Sequence, residues 1–405
     1  MAGLDRIESL SLILTSRCNL RCGYCYQSPK RRRSAAWRTI RAALDLVSGA
    51  SSSVLGIGFC GGEPLLEFPL MRRAVERVER IRPPTKTVTY HVSTNGTLLT
   101  ETVVSFLEEH RFETQLSFDG VVDAQNLRGR GTFPALDRLL ERLRSRHPAF
   151  YREKVSIAVT VTPRNLPHLA ASVSYFFRKG ARRIVIAPSI SSDADWEPGR
   201  IGELDAQFAM IFERSLLHFE RTGEVPVGIL RGRDDAPGDE AGTRSMCGIG
   251  RARGVTVDVD GEVYPCAMFA SSYARPCSPR LDRLLEGMRL GRIADPALPR
   301  RLSTLAAAAR RAGIFHRKDR KRSAYERCGE CEYLDRCFIC PASIRFVPGN
   351  GDPDRVPDFC CAFNLVALKY RERFPREPAL YDLPLTPPGF DAEMERWRIL
   401  AGAAR

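Results

Sequence analysis

The sequence predicts an α/β fold built on a parallel sheet. Two observations carry that prediction. Six short runs rich in β-branched and apolar residues are each followed by a helical stretch. No run is apolar and long enough to cross a membrane, and the 405 residues suffice to bury a large core. Strand-then-helix alternation implies parallel strands joined by right-handed crossovers. Six such units suit an open, partial barrel as well as a doubly wound sheet.

In chain order the six units read as follows. Leu10–Thr15 is a strand, and Ser34 has the chemistry of an N-cap for a helix running to about Val47. Val54–Phe59 precedes a helix over Leu66–Val78, and Val88–Thr94 precedes one over Glu101–Glu109. Thr114–Phe118 leads to Phe133–Arg146, and Val155–Val161 leads to Pro167–Arg178. Arg183–Ala187 leads to Leu204–Glu220. A Gly- and Asp-rich stretch, Gly232–Thr243, then reads as a linker. Beyond it, Val255–Val259 and Glu262–Pro265 flank Asp260-Gly261, a hairpin signal because the turn needs positive φ. Helical segments follow near Arg280–Arg289 and Leu298–Ala312, then a basic run, His316–Arg322. The expected organisation is a first domain over 8–231, a linker over 232–246, a cysteine-rich domain over 247–365 and a polar tail over 366–405.

Composition narrows the function classes. Apolar residues make up 43% and charged residues 27%, as in ordinary globular chains. The N-terminus lacks the basic region, apolar core and cleavage site of a signal peptide, so a cytoplasmic protein is expected. Thirteen cysteines in such a chain argue for metal, iron–sulfur or catalytic roles rather than a disulfide framework. Net charge is +14, but 55 arginines stand against 7 lysines, spread along the whole chain. An acidic peptide or partner protein suits this charge at least as well as nucleic acid, which is not expected.

The first cysteine cluster is Cys18-x3-Cys22-x2-Cys25, at the C-terminal end of the first strand, where parallel sheets bind ligands. Three thiolates on one tight loop hold three corners of a four-iron cluster and leave one iron open, whereas structural zinc takes four protein ligands. This spacing, with Tyr24 before the third cysteine, resembles the radical S-adenosylmethionine (SAM) enzymes, whose barrel is a partial (β/α)6, TIM-like one. Gly61-Gly62-Glu63-Pro64 after the second strand resembles the family segment that holds the SAM amino group. Glycines permit close backbone approach, and carbonyls with Glu63 accept from an ammonium. Ser93-Thr-Asn95-Gly96 and Ser117-Phe-Asp119-Gly120 follow the third and fourth strands, and Arg128 comes next. The resemblance implies that Ser93, Asn95, Ser117 and Asp119 reach ribose hydroxyls and that Arg128 pairs with the SAM carboxylate.

The remaining cysteines resemble the SPASM extension of peptide-modifying radical SAM enzymes. They are Cys247, Cys266, Cys328-x2-Cys331-x5-Cys337-x2-Cys340 and the pair Cys360–Cys361, with Cys277 apart. The phrase Val257-Asp-Val-Asp-Gly-Glu-Val-Tyr-Pro-Cys266 is close to that family. By this resemblance one auxiliary [4Fe-4S] cluster uses Cys247, Cys266 and Cys340. A second uses Cys328, Cys331, Cys337 and one of the terminal pair, Cys361 being preferred to Cys360. Relatives carry a further cysteine where this chain has Arg253, which leaves an open iron or a place for Cys277. Cys60 is expected to be a buried small apolar residue.

The implied activity is reductive cleavage of SAM to a 5′-deoxyadenosyl radical that abstracts hydrogen from a ribosomally made peptide, installing an intramolecular crosslink. Two other readings stand beside it: an anaerobic sulfatase maturase making formylglycine, and a non-enzymatic iron–sulfur protein. Sulfatase maturases carry an Asp after the hairpin cysteine as general base, and here Cys266 is followed by Ala267 and Met268. The implied partners are the precursor peptide, a separate leader-recognition protein and a flavodoxin- or ferredoxin-type reductant. Lys30–Arg33 and His316–Arg322 are basic runs that an acidic leader would suit.

Overall fold

The computed structural model describes residues 7–27, 32–190, 195–231, 249, 253–273, 286–312, 318–337, 339–340, 350, 352 and 354–375. Six parallel strands form the frame: β1 (Ser9–Thr15), β2 (Val54–Gly61), β3 (Thr87–Thr94), β4 (Glu113–Ser117), β5 (Val155–Val161) and β6 (Ile184–Pro188). They lie side by side in chain order, with every neighbouring pair parallel. A doubly wound sheet would reverse its strand order at a switch point, so this order settles the architecture as an unclosed partial barrel.

The helices between the strands are α1 (Trp37–Ser48), α2 (Phe68–Ile81), α3 (Glu101–Glu109), α4 (Val122–Asn126), α5 (Phe133–Arg146), α6 (Pro148–Lys154), α7 (Leu169–Arg178) and α8 (Ile201–Thr222). The longer ones cover the sheet with an apolar stripe at helical spacing. In α2 the stripe is Met71, Ala74, Val75 and Val78, all buried. Ser34 is not the N-cap of α1. That place falls to Ala36, without a side-chain bond. Ser34 instead bridges Thr15 and donates its hydroxyl to Glu67 at 2.6 Å, tying β1 to the turn before α2. The helix expected from Leu66 begins with a 3-10 turn, Pro64–Glu67, before α2 takes over at Phe68.

The hairpin forms as expected, from β7 (Gly254–Val257) and β8 (Glu262–Tyr264), with Gly261 at φ +84° in the turn. Its placement is new. β7 pairs in parallel with β1 from Ser9 to Leu12, and β9 (Gly291–Arg292) pairs with β8, giving one sheet of nine strands. One hydrophobic core runs from the barrel into this extension. Further along, among the described residues, lie the helices α9 (Leu298–Ala312) and α10 (Asp358–Arg373). The border expected at 365 falls inside α10, which carries Cys360 and Cys361 and packs on α8. The linker 232–246 and most of the Arg280–Arg289 segment lie outside the described residues. Among the described residues no helix is long and apolar enough to cross a membrane.

Candidate active site

A cavity of about 630 Å³ opens at the C-terminal ends of the barrel strands. Cys18, Cys22 and Cys25 all line it, as do Tyr24, Gly61, Gly62, Ser93, Asn95, Ser117 and Arg128. The fold brings these together by stitching the loop after β1 to the end of β2. Gly62 N–H donates to the Thr15 carbonyl and Glu63 N–H to the Arg17 carbonyl, both at 2.8 Å. A Cβ on Gly62 would lie 2.1 Å from the Arg17 carbonyl oxygen, so only glycine permits this approach. The Cys18 sulfur accepts from Leu20 N–H at 3.4 Å and faces the Asn95 amide at 3.9 Å. Donors on a sulfur suit a thiolate bound to iron.

Three expected contact residues, Glu63, Pro64 and Asp119, do not line the cavity. Glu63 is fully buried. Its carboxylate accepts from Thr94 Oγ1 at 2.8 Å, Asn95 N–H at 2.7 Å and Leu65 N–H at 3.1 Å. It therefore anchors the end of β3, and the glycine backbone, not this side chain, faces the cavity. Pro64 is likewise buried, opening the 3-10 turn. Asp119 accepts from Arg128 at 2.7 Å and from Thr160 N–H at 3.0 Å, and the Tyr24 hydroxyl donates to its other oxygen. Burial pushes the Tyr24 phenol far up, against Arg128 and with Asp119. Asp119 thus positions Tyr24 and Arg128 rather than meeting a ligand. Arg128 Nε is buried with no hydrogen-bond partner, and the residue lines the cavity. An acceptor on a bound ligand, such as a carboxylate, fits there.

Residues missed from the sequence complete the wall: Tyr26, Gln27, Gln115, Thr160, Ser189, Met268 and Tyr273. Gln27 donates to the Gly61 carbonyl at 3.0 Å, which leaves Gly62 the freer acceptor of the pair. Cys60 packs against the hydrophobic core, as expected, and it also lines the cavity, as does Cys340. Among the described lining residues the titratable groups other than Arg128 are thiols and phenols.

A second, smaller cavity is lined by Cys328, Cys331, Cys337 and Cys361, with Leu334, Ile339, Leu365 and Leu368 around them. Ser323 donates to the Cys361 sulfur at 3.0 Å. Cys360, next along α10, faces the Ser189 carbonyl instead, at 4.0 Å. Four thiols on one apolar-walled cavity fit a four-iron cluster, whose ligands attach to separate irons. Among the described residues no three Cys, His, Asp or Glu side chains gather as they would around a single ion. Cys247 and Cys277 lie outside the described residues. Arg253 points away to the surface, pairing with Glu8 at 2.9 Å.

With this geometry in place, comparison with known proteins gives its class. Residues 12–167 match the model of the radical SAM superfamily and form a radical SAM domain. An uncharacterized protein of Methanocaldococcus jannaschii is 31% identical over 185 residues, covering 45% of this chain and 62% of that one. A cysteine-type anaerobic sulfatase-maturating enzyme of Clostridium perfringens is 24% identical over 352 residues, covering 81% of this chain and 87% of that one. Among solved structures, anSMEcpe with bound AdoMet and Kp18Cys peptide superposes with a TM-score of 0.67 at 20% identity, covering 90% of this chain and 97% of that one. Streptococcus suis SuiB bound to S-adenosylmethionine gives 0.53 at 16% identity, covering 88% and 77%. The fold is that of radical SAM enzymes, and the chain is an enzyme with radical SAM chemistry.

Proposed function

We propose that the chain modifies a ribosomally made peptide by hydrogen abstraction and closes an intramolecular crosslink in it. The observation that carries this reading is the cavity itself, which joins the three-cysteine loop, the Gly61-Gly62 backbone and an Arg128 guanidinium whose buried Nε has no hydrogen-bond partner. Bound SAM and a reduced four-iron cluster supply a 5′-deoxyadenosyl radical. Cys18, Cys22 and Cys25 would hold that cluster. The Gly62 carbonyl would take the SAM ammonium, Arg128 its carboxylate, and Ser93, Asn95 and Ser117, which line the same cavity, would meet ribose hydroxyls. Two auxiliary clusters are part of the proposal: one on Cys328, Cys331, Cys337 and Cys361, the other on Cys247, Cys266 and Cys340. The peptide reading is supported by neighbours of the same fold that carry peptides, anSMEcpe with Kp18Cys and SuiB with its precursor SuiA.

The similarity to sulfatase-maturating enzymes favours formylglycine formation as the second reading. No carboxylate is found among the described residues of the cavity wall to serve as its base. Anaerobic turnover with SAM, a reductant and a short peptide encoded beside this chain separates the two. Loss of two hydrogens with no hydrazide-reactive aldehyde supports the crosslink. An aldehyde formed from a Ser or Cys of the peptide supports the second reading. Cys22→Ala is expected to form no 5′-deoxyadenosine, and wild-type amounts from that variant would refute the site.

A further inference from the structure

The central cavity holds a thiol that neither SAM binding nor iron ligation uses. Cys60 stands near the end of β2, directly before Gly61, and lines the cavity beside Tyr26, Met268 and Tyr273. It belongs to a group of donors. The Tyr273 hydroxyl donates to the Gly61 carbonyl at 3.5 Å and interacts with the neighbouring Cys60 thiol. The Tyr26 ring meets that of Tyr273 edge-on at 5.7 Å. The other contact of the thiol is a long one, 3.7 Å to the Leu12 carbonyl. Burial keeps it protonated, with its pKa pushed up to about 11. Independently, the buried and unpartnered Nε of Arg128 marks the same cavity as built for a ligand.

A carbon radical formed here meets S–H and O–H bonds on the described wall rather than a base. An S–H bond is weaker than an unactivated C–H bond, so transfer of its hydrogen atom to carbon is downhill. We propose that Cys60, backed by Tyr273, donates a hydrogen atom to carbon radicals in this cavity. The site thereby gains a second activity: it returns a solvent-derived hydrogen to the abstracted carbon of the peptide, in either configuration, in place of a crosslink. This inference rests on the radical chemistry proposed above. In the step a C–H bond forms and the S–H bond breaks, leaving a thiyl radical on Cys60. One electron from the low-potential donor that drives SAM cleavage, and one proton passed from solvent through the Tyr273 hydroxyl, restore the thiol.

The probe is SAM itself. Iron-loaded protein is given SAM and dithionite in D2O without peptide, and deuterium is counted per molecule of 5′-deoxyadenosine, so a slow variant is still scored. Wild type is expected to place one solvent deuterium in the product. Cys60→Ser, whose O–H is too strong to donate, is expected to lower that fraction about tenfold, and Tyr273→Phe to lower it less. Equal deuterium in wild type and Cys60→Ser, or none in wild type, overturns the proposal. Absence of 5′-deoxyadenosine from wild type would instead overturn the radical SAM reading beneath it. A readout free of turnover is radiolytic hydroxyl-radical footprinting of the iron-loaded protein with peptide mapping, which attacks a protonated thiol. Oxidation of Cys60, slowed by SAM, is expected, and an unoxidised Cys60 removes it from the cavity.

Discussion

Glu63 gives its whole carboxylate to the protein. Three donors converge on it at 2.7–3.1 Å, two of them backbone N–H groups. Removing the acceptor strands buried donors, which costs about 1–3 kcal/mol for each group left without a partner. Glu63→Ala is therefore expected to lower the thermal midpoint markedly, and to weaken SAM binding only as β3 loosens. A variant as stable as wild type in a melting experiment would return the carboxylate to the ligand. Gly62→Ala acts differently. Its Cβ would strike the Arg17 carbonyl at 2.1 Å, prising the cysteine loop from β2. Loss of equilibrium SAM binding in iron-loaded protein is expected even where the barrel still folds. The sequence made the importance of both residues visible but not their directions. A Gly-Gly-Glu-Pro run reads the same whether the carboxylate faces a ligand or the end of a neighbouring strand. The same is true of Cys60, since alternation along β2 is blurred by its glycines.

The helices add a pH-sensitive tie. His147 ends α5, and its two ring nitrogens lie 2.6 Å from Glu108 and 3.1 Å from Glu101 on α3. Burial lowers the imidazole pKa, but the bonds to Glu108 and Glu101 outweigh it and the net shift is upward. A raised folded pKa means stability that is fully present below the unfolded value, about 6.5, and lost as pH rises through the folded value. His147→Gln is expected to flatten the fall in thermal stability that sets in as pH rises above about 6.5. An unchanged slope in thermal melts would place the effect elsewhere. The six main strands and their flanking helices were legible because Val, Ile, Leu and Phe recur at sheet and helix periods. The short helices α4 and α6 were not. They span five and seven residues, too few for a helical period to show. Ser34 misled because a serine before an apolar run is a cap in one context and a bridge in another.

At the scale of the molecule, the cysteine-rich half is fastened to the barrel by aromatic packing that no motif announces. Phe363 and Tyr370 of α10 meet Phe208 of α8 at ring distances of 5.4 and 6.4 Å, and Phe359 meets Trp196 at 4.9 Å. Phe363 is 1% exposed. Phe363→Ala is expected to cost about 3–5 kcal/mol, read by chemical denaturation. If α10 were only a tether, the denaturation midpoint would hardly move. Spacing identified the cysteines as groups but could not say which thiol of the Cys360–Cys361 pair faces Cys328. That depends on the rotation of α10.

The pairing of β7 with β1 bears on how the gene can be cut. Four residues of β1, Ser9 to Leu12, meet β7, more than 240 positions further along the chain. A fragment ending at 231 would bare that edge as an unsatisfied ladder flanked by apolar side chains, a template for the next copy to dock upon. Such a truncation is expected to sediment as aggregates rather than behave as a small stand-alone enzyme. The two halves share one sheet, and whatever shuffles this fold must carry the hairpin with it.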